Sequence, residues 1–434
     1  MAIQQQGGFA VGDLDPSFGE QGRVLLDFPE ARFNAVWGIN LTPTGKILVV
    51  GQSDPNDFIV ACFTEGGEID RSFGQNGVMK GQFHKNISSG RSVTALDDGR
   101  ILVSGIYYAN GNALPAISRL MPDGRFDTTF ANGGTFVFPP DDISSATGNG
   151  NALILDPTRS STNTDTRSTV LPDGKILISQ KFISDINPFG LLIRLTADGI
   201  PDSSFNGIGF TVVRYPHENI VLTDVYSFLV TDRSEIIVCG QLQLSGKSIQ
   251  GLLVRYGANG RPDTRFGSEG TGFIALDIDQ YRIRVDDCVA GQDGRFVAFG
   301  TLAESGAVTQ AAIAFGRTRE GTPDTRFNTG LIASVIDLQA NSEWYSAAMM
   351  MASSKLVATG ITFDDNFEKN QILVGRYLGS GELDKEFGGG DGWVKVGEGL
   401  EPRLILQDDN KILVCYSLLV EPDPIKCYVI RLMN

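Results

Sequence analysis

One short phrase, written seven times, decides what this chain can fold into. It first stands as Gly12-Asp13-Leu14-Asp15-Pro16-Ser17-Phe18-Gly19 and returns as Gly67-Glu68-Ile69-Asp70-Arg71-Ser72-Phe73-Gly74. Looser copies end at Phe130, Phe205, Phe266, Phe327 and Phe387, all on the frame Gly-x-x-Asp-x-x-Phe. Successive phenylalanines lie 55, 57, 75, 61, 61 and 60 positions apart. A period of this size marks a unit that cannot bury its apolar face alone and must stack on its neighbours.

The phrase has a physical logic. Its glycine follows polar residues such as Pro122-Asp123 or Ala258-Asn259, where the chain turns and left-handed backbone angles are needed. The Asp three residues later is placed to accept backbone N–H groups of the turn. The Phe, at a fixed offset, is large enough to plug a seam between units. No Asp-x-Asp-x-Asp-Gly run accompanies the seven Asp, so a turn and not a calcium loop is expected.

Within each repeat the pattern is strand-like. The run Val36-Trp37-Gly38-Ile39-Asn40-Leu41 meets the turn Pro43-Thr44-Gly45-Lys46, then Ile47-Leu48-Val49-Val50-Gly51, and Phe58 to Phe63 leads back to the phrase. The same hairpin recurs at Asp98-Gly99-Arg100, Pro172-Asp173-Gly174-Lys175, Asp293-Gly294-Arg295 and Asp409-Asn410-Lys411. Four short strands per unit and seven units predict an all-β, seven-bladed β-propeller with four antiparallel strands per blade. The C-terminal segment, residues 397–434, supplies three strands and stops. The missing phrase and fourth strand stand at residues 11–29, so the N-terminal strand closes the last blade and leaves no open edge. Residues 1–10 are then a tail, 11–434 one propeller, and 139–166 an insertion that accounts for the 75-residue interval.

Pro-Asp-Gly-Lys-Ile-Leu, then a strand carrying Arg, then Gly-x-Leu-Asp-x-Ser-Phe-Gly-x-x-Gly resembles the delta-60 repeat family. Residues 67–77 match that pattern best and 12–22 nearly as well, and the likeness covers the chain apart from the first ten residues and the insertion. The resemblance implies a bacterial β-propeller, in a family whose members mostly lack an assigned activity. The departures, Asn206 and Asn328 after the Phe, Ser234 and Ser354 in the turns and Gln180 in place of a glycine, read as drift within the array. A further regularity is the Arg five residues before the phrase's glycine: Arg119, Arg194, Arg255 and Arg376, with Arg431 in the equivalent strand. Eight residues from the phrase Asp across a turn, it suits an ion pair that braces the hairpin.

A net charge of −15 argues against nucleic acid and anionic membranes, and no apolar run reaches transmembrane length, so no membrane insertion is expected. The start of the chain has neither the basic residues nor the apolar run of a secretory signal. The expectation is therefore cytoplasmic residence, or export by a route without a cleavable signal. Cys62, Cys239, Cys288, Cys415 and Cys427 sit in apolar runs without metal-ligand spacing and read as buried thiols. No metal and no cofactor are expected.

Chemistry, if present, belongs on the face of unequal loops, which carries Tyr107, Tyr108, Tyr215, Tyr281, Trp344 and Tyr345, or at the axis. The candidate ligand-binding residues are Trp37, Arg91, Arg167, Tyr215, His217, Tyr226, Tyr281, Asp286 and Arg403, with Asp287 beside them. A funnel of mixed charges and aromatics suits a sugar or a small anion. Catalytic signatures are thin: two His, no Gly-x-Ser-x-Gly, no phosphate-binding Gly-Lys-Ser/Thr loop and no Cys-x-x-Cys, hence no assigned catalytic residue. The leading expectation is a monomeric, non-enzymatic recognition scaffold that binds a protein or glycan through its irregular-loop face. The alternative is a carbohydrate-active hydrolase or lyase at the axial funnel.

Overall fold

Turn chemistry sets the unit. The hairpin turn of each repeat needs one residue with positive φ, and Gly45, Gly99 and Gly174 supply it at 78°, 84° and 79°. Ser234, Ser354 and Asn410 stand at the same place at 59°, 54° and 62°, so the unit survives the loss of glycine there. The computed structural model describes residues 10–434 without 29–30, 54–55, 110–111, 140–165, 183–187, 268, 308, 335–340, 364–369 and 421–422. Nearly all of the 139–166 insertion therefore lies outside the described residues.

The described chain forms seven antiparallel four-stranded sheets, the blades of a propeller. Blade 1 comprises Ala35–Leu41, Ile47–Ser53, Asp57–Phe63 and Val78–Gly81, from the axis outward, and blades 2 to 6 repeat this order along the chain. Blade 7 takes Leu400–Leu406, Ile412–Val420 and Asp423–Leu432 from the C-terminus and Arg23–Leu25 from the N-terminus. Arg23, Val24 and Leu25 pair with Ile430, Val429 and Tyr428, so the ring closes as the incomplete end repeats predict. The closing strand is shorter than residues 22–28: Asp27 and Phe28 turn away to pair with Arg32 and Ala31.

The core lies in the seams between blades. All seven phrase phenylalanines are at most 2% exposed. Each of the first six rings lies against the phrase glycine of the following blade, where a Cβ would stand 2.7–3.0 Å from ring carbons, as with Phe18 on Gly67 and Phe266 on Gly321. The residue after each Phe then donates its N–H to the next phrase, from Gly19 to the Gly66 carbonyl and onward to Gly388, which closes on Val11. The backbone hydrogen bond thus recurs at all seven seams and the ring-on-glycine contact at six of them.

The phrase Asp works as expected. Asp15 accepts from the Ser17 N–H at 3.0 Å and its hydroxyl at 2.6 Å, and the other six Asp make the same backbone bond two residues on. The strand Arg meets its Asp in all five repeats that carry it: Arg119–Asp127 2.7 Å, Arg194–Asp202 2.7 Å, Arg255–Asp263 3.1 Å, Arg376–Asp384 2.6 Å and Arg431–Asp15 2.9 Å. Each of these guanidiniums also lies over its phrase Phe ring, 4.6–5.1 Å from the centroid. Arg119 and Arg431 reach on to the Ala197 and Glu65 carbonyls of the adjoining blade. Where Cys62 replaces the Arg, Lys46 takes over the Asp70 carboxylate at 2.6 Å.

Candidate functional site at the propeller axis

Tight turns and phrases share one face of the disc; the crossovers between blades and the second-to-third-strand loops share the other. The innermost strands line the axis between them. In five blades the second strand carries a glycine pressed on the inner strand. A Cβ on Gly51, Gly105, Gly240, Gly300 or Gly360 would stand 1.7–2.0 Å from the carbonyl oxygen of Ala35, Ser89, Asp224, Arg284 or Glu343. Beside each contact the ladder shifts register by one residue, stepping over Trp37, Arg91, Tyr226, Asp286 and Tyr345. This is a β-bulge, and in these five blades the glycine leaves room for the carbonyl; blade 7 shifts register at the same place, between Leu400 and Arg403, with Tyr416 there instead. Blade 3 has Gln180 instead, and Thr166–Val170 pairs with Ile176–Gln180 without a shift. Among the described residues blade 3 is thus the blade whose inner ladder is regular at this place.

The bulges divide the channel in two. Toward the turn face lies a cavity of about 310 Å³ lined by all seven inner strands, with Trp37, Arg91, Arg167, Arg403 and Asp287 in its wall. The Arg91 guanidinium lies 3.6 Å from the Trp37 ring centroid, and the Trp37 indole donates to Glu401 at 2.7 Å. Asp287 accepts from the Ser227 hydroxyl at 2.7 Å and from the Cys288 and Ala347 backbone at 2.9 Å.

Toward the irregular face, blades 3 to 6 build a charged cluster. Lys181 binds Asp224 at 2.9 Å, which also accepts from Gln241 at 2.9 Å and Tyr226 at 3.3 Å. Arg284 bridges Asp286 at 2.8 Å and Glu343 at 2.5 Å, and Gln310 donates to Glu343. Burial works against the Arg284 charge, but Asp286 and Glu343 outweigh it and its pKa lies well above the usual arginine value. Burial, with Glu343 beside it, pushes the Tyr345 phenol well up. Each carboxylate of this cluster is thus engaged by a cation or an amide donor. Among the described residues no three His, Cys, Asp or Glu side chains form a metal-binding group.

The nine candidate residues fall into three places. Trp37, Arg91, Arg167 and Arg403 share the turn-side cavity. Tyr226 and Asp286 stand at the bulges, both buried. Tyr215 and His217 stack at 6.4 Å on the blade 3–4 crossover, and Tyr281 opens the inner strand of blade 5, 38% exposed. Of the aromatics assigned to the loop face, Trp344 is instead core: it is fully buried in the inner strand of blade 6, and its indole donates to the Tyr377 hydroxyl at 3.1 Å. Tyr107 is buried as well. Sequence reasoning missed Lys181, Asp224, Arg284 and Glu343. Aligning the repeats on the glycine exposes three of them, because the residue whose carbonyl faces it reads Ala35, Ser89, Asp224, Arg284, Glu343 around the ring.

Three segments, residues 42–73, 96–130 and 171–205, match the family described as a β-propeller domain of unknown function (DUF5122). Each runs from a hairpin turn to a phrase Phe. No curated protein matches the chain. Among solved structures, a protein of unknown function from Dyadobacter fermentans is 12% identical, covers 97% of this chain and 100% of its own, with a TM-score of 0.48. The polysaccharide lyase Uly1 is 10% identical over 99% of this chain and 94% of its own, at 0.51. An α-L-arabinofuranosidase from Fusarium graminearum is 9% identical over 95% and 98%, at 0.46. Likeness at such identity is likeness of fold.

Proposed function

We propose that this chain is a recognition scaffold of the delta-60 repeat type that holds a protein or glycan on its irregular-loop face. The observation that carries this reading is the engagement of the central carboxylates. Glycoside cleavage needs one carboxyl free to give a proton and another to attack or to activate water. Asp224 is held by Lys181, Asp286 and Glu343 share Arg284, and Asp287 is saturated by Ser227 and two backbone N–H groups. A rigid ring carrying such a network suits binding, where fixed polar groups cost little ordering entropy. Tyr215, His217 and Tyr281 form the aromatic part of the face, on blades 4 and 5. The partner meets a monomeric propeller, without nucleic acid, membrane insertion or cofactor.

The test is a glycan array and a pull-down with the whole chain, repeated with the double variant Tyr215→Ala, Tyr281→Ala. Loss of capture at an unchanged melting temperature supports the loop face. Unchanged capture by the folded variant removes it. Cleavage of any polysaccharide in a reducing-end or unsaturated-product screen would overturn the scaffold reading in favour of the hydrolase or lyase.

A further inference from the structure

We infer that the seam between blades 1 and 2, on the turn face, binds the guanidinium group of an arginine, presented as the free amino acid or as the side chain of a peptide. Five other repeats hold such a group of their own and show what receives it. Each strand Arg pairs with the phrase Asp and lies over the phrase Phe. In four of them Nη1 donates to a carbonyl of the next blade, two residues before that blade's phrase glycine: Ala197, Ala258, Arg319 or Glu65. In the three that have a hydroxyl two residues after the Asp, Nη2 reaches it: Arg119 to Thr129 at 3.2 Å, Arg194 to Ser204 at 2.8 Å and Arg431 to Ser17 at 3.0 Å.

Blade 1 keeps these acceptors and has Cys62 in place of the donor. Asp70, Ser72 and Phe73 hold their usual places, and Ser72 donates to Asp70 at 2.6 Å as Ser17 does to Asp15. Pro122 stands two residues before Gly124, in the position of Ala197 or Glu65. Cys62 and Pro122 both line a cavity of about 370 Å³, with Lys46, Leu48 and Ile101 also in its wall. That equals about twelve water molecules, ample for an arginine side chain. Lys46 does not close the site, because a phrase Asp takes two cations elsewhere. Asp127, Asp202, Asp384 and Asp15 hold the strand Arg together with Arg100 at 3.4 Å, Lys175 at 3.2 Å, Lys355 at 2.8 Å and Lys411 at 3.3 Å. Among the described residues Asp70 has Lys46 alone. The seam between blades 5 and 6 also lacks the Arg but is not equivalent. A Cβ on Gly316 would stand 2.5 Å from the Phe327 Cβ, so the phrase itself lies where a side chain would, and Arg326 replaces the hydroxyl. The site is on the turn face, so it stands or falls independently of the scaffold reading.

Calorimetric titration of the whole chain at constant ionic strength tests this, with free L-arginine and the blocked peptide acetyl-Gly-Arg-Gly-amide as separate probes. One saturable site is expected for at least one of them, and the probe that binds identifies the source of the guanidinium. Cys62→Arg, which restores the side chain that five repeats carry, should abolish binding, whereas Cys62→Ser should retain it. Asp70→Asn should weaken it by about ten- to a hundredfold, and carries the test should Cys62→Arg fold poorly. The same peptide with lysine for arginine should bind at least tenfold more weakly, since an ammonium cannot span the carboxylate, hydroxyl and carbonyl together. No saturable binding of either probe by about 20 mM overturns the inference, as does binding undiminished in folded Cys62→Arg or Asp70→Asn, or equal binding of the lysine peptide.

Discussion

Phe266→Ala tests the seam directly. The ring is fully buried, with the Arg255 guanidinium 5.1 Å from its centroid on one side and Gly321 on the other. Withdrawing a phenyl ring from such a site forfeits about 1.5–3 kcal/mol of transfer free energy. The vacated volume adds to this, because a glycine backbone has no side chain to swing into the hole, so the loss belongs within the range of about 3–5 kcal/mol. Phe73 supplies an internal control: it is equally buried and lies on Gly124, but Cys62 stands where five repeats have Arg. Phe73→Ala should therefore cost less than Phe266→Ala by roughly the cation–π share, about 0.5–2 kcal/mol. Equilibrium urea melts followed by tryptophan fluorescence measure both, provided the slopes agree with the parent's. Losses below about 1 kcal/mol at both sites would refute the seam as the source of stability. Equal losses would refute the part given to Arg255.

Removing residues 1–28 should lower stability severely, by on the order of 3–5 kcal/mol from one contact alone, because Arg431 is left buried without Asp15; a thermal melt within a degree or two of the parent would contradict the closure. Acid should unfold the ring through the phrase Asp. Burial pushes the Asp15 and Asp202 carboxyls up, but hydrogen bonds from Ser17 and Ser204 and the neighbouring cations outweigh it and hold both at about 2. Asp70, Asp127 and Asp263 are also held at about 2, first by Lys46, Thr129 and Arg265. A lowered folded pKa gives stability that is complete above the ordinary 3.8 and lost as pH falls through about 2, so denaturant midpoints should drop between about pH 4 and 2 and stay level above. Gly300→Ala should cost about 1–3 kcal/mol, because its Cβ would stand 1.9 Å from the Arg284 carbonyl, whereas Gly66→Ala, with only Thr64 near at 3.8 Å, should be close to neutral in the same melts.

The ring was legible because its instructions are local and repeated. Gly-x-x-Asp-x-x-Phe names a turn, its Asx acceptor and its seam plug, and Arg119 and Asp127 stand eight residues apart, so hairpin and brace follow from spacing alone. Closure was legible for the same reason, since Asp15 and Arg431 are complementary fragments of one repeat. The site was only half legible. Trp37, Arg91, Arg167 and Arg403 are recognisable as axial from their place at the inner strands, but which end of the channel they line depends on the bulge, a register shift whose one trace in the sequence is the second-strand glycine, absent from blades 3 and 7. Trp344 was misplaced for a related reason: its surroundings read as an irregular segment, whereas the strand already begins at Ser342 and the indole packs in the core.

That bulge separates what the fold requires from what it leaves open. Gly300 and its four equivalents leave room for one carbonyl to approach, but they set no demand on the side chain at the bulge, which is Trp37 in blade 1, Arg91 in blade 2 and Asp286 in blade 5. Nor do they fix the residue whose carbonyl makes the approach, small at Ala35 and Ser89 and charged at Asp224, Arg284 and Glu343. The charged half of the loop-side mouth thus falls on blades 3 to 6, while the cavity arginines come from blades 7, 2 and 3. Two chemistries share one channel on opposite sides of the same structural device. Substitutions that abolish one should leave the other intact unless they touch the glycine, and Gly300→Ala, which displaces Arg284 and Asp286 together, should disturb the loop-side network before it reaches Arg167.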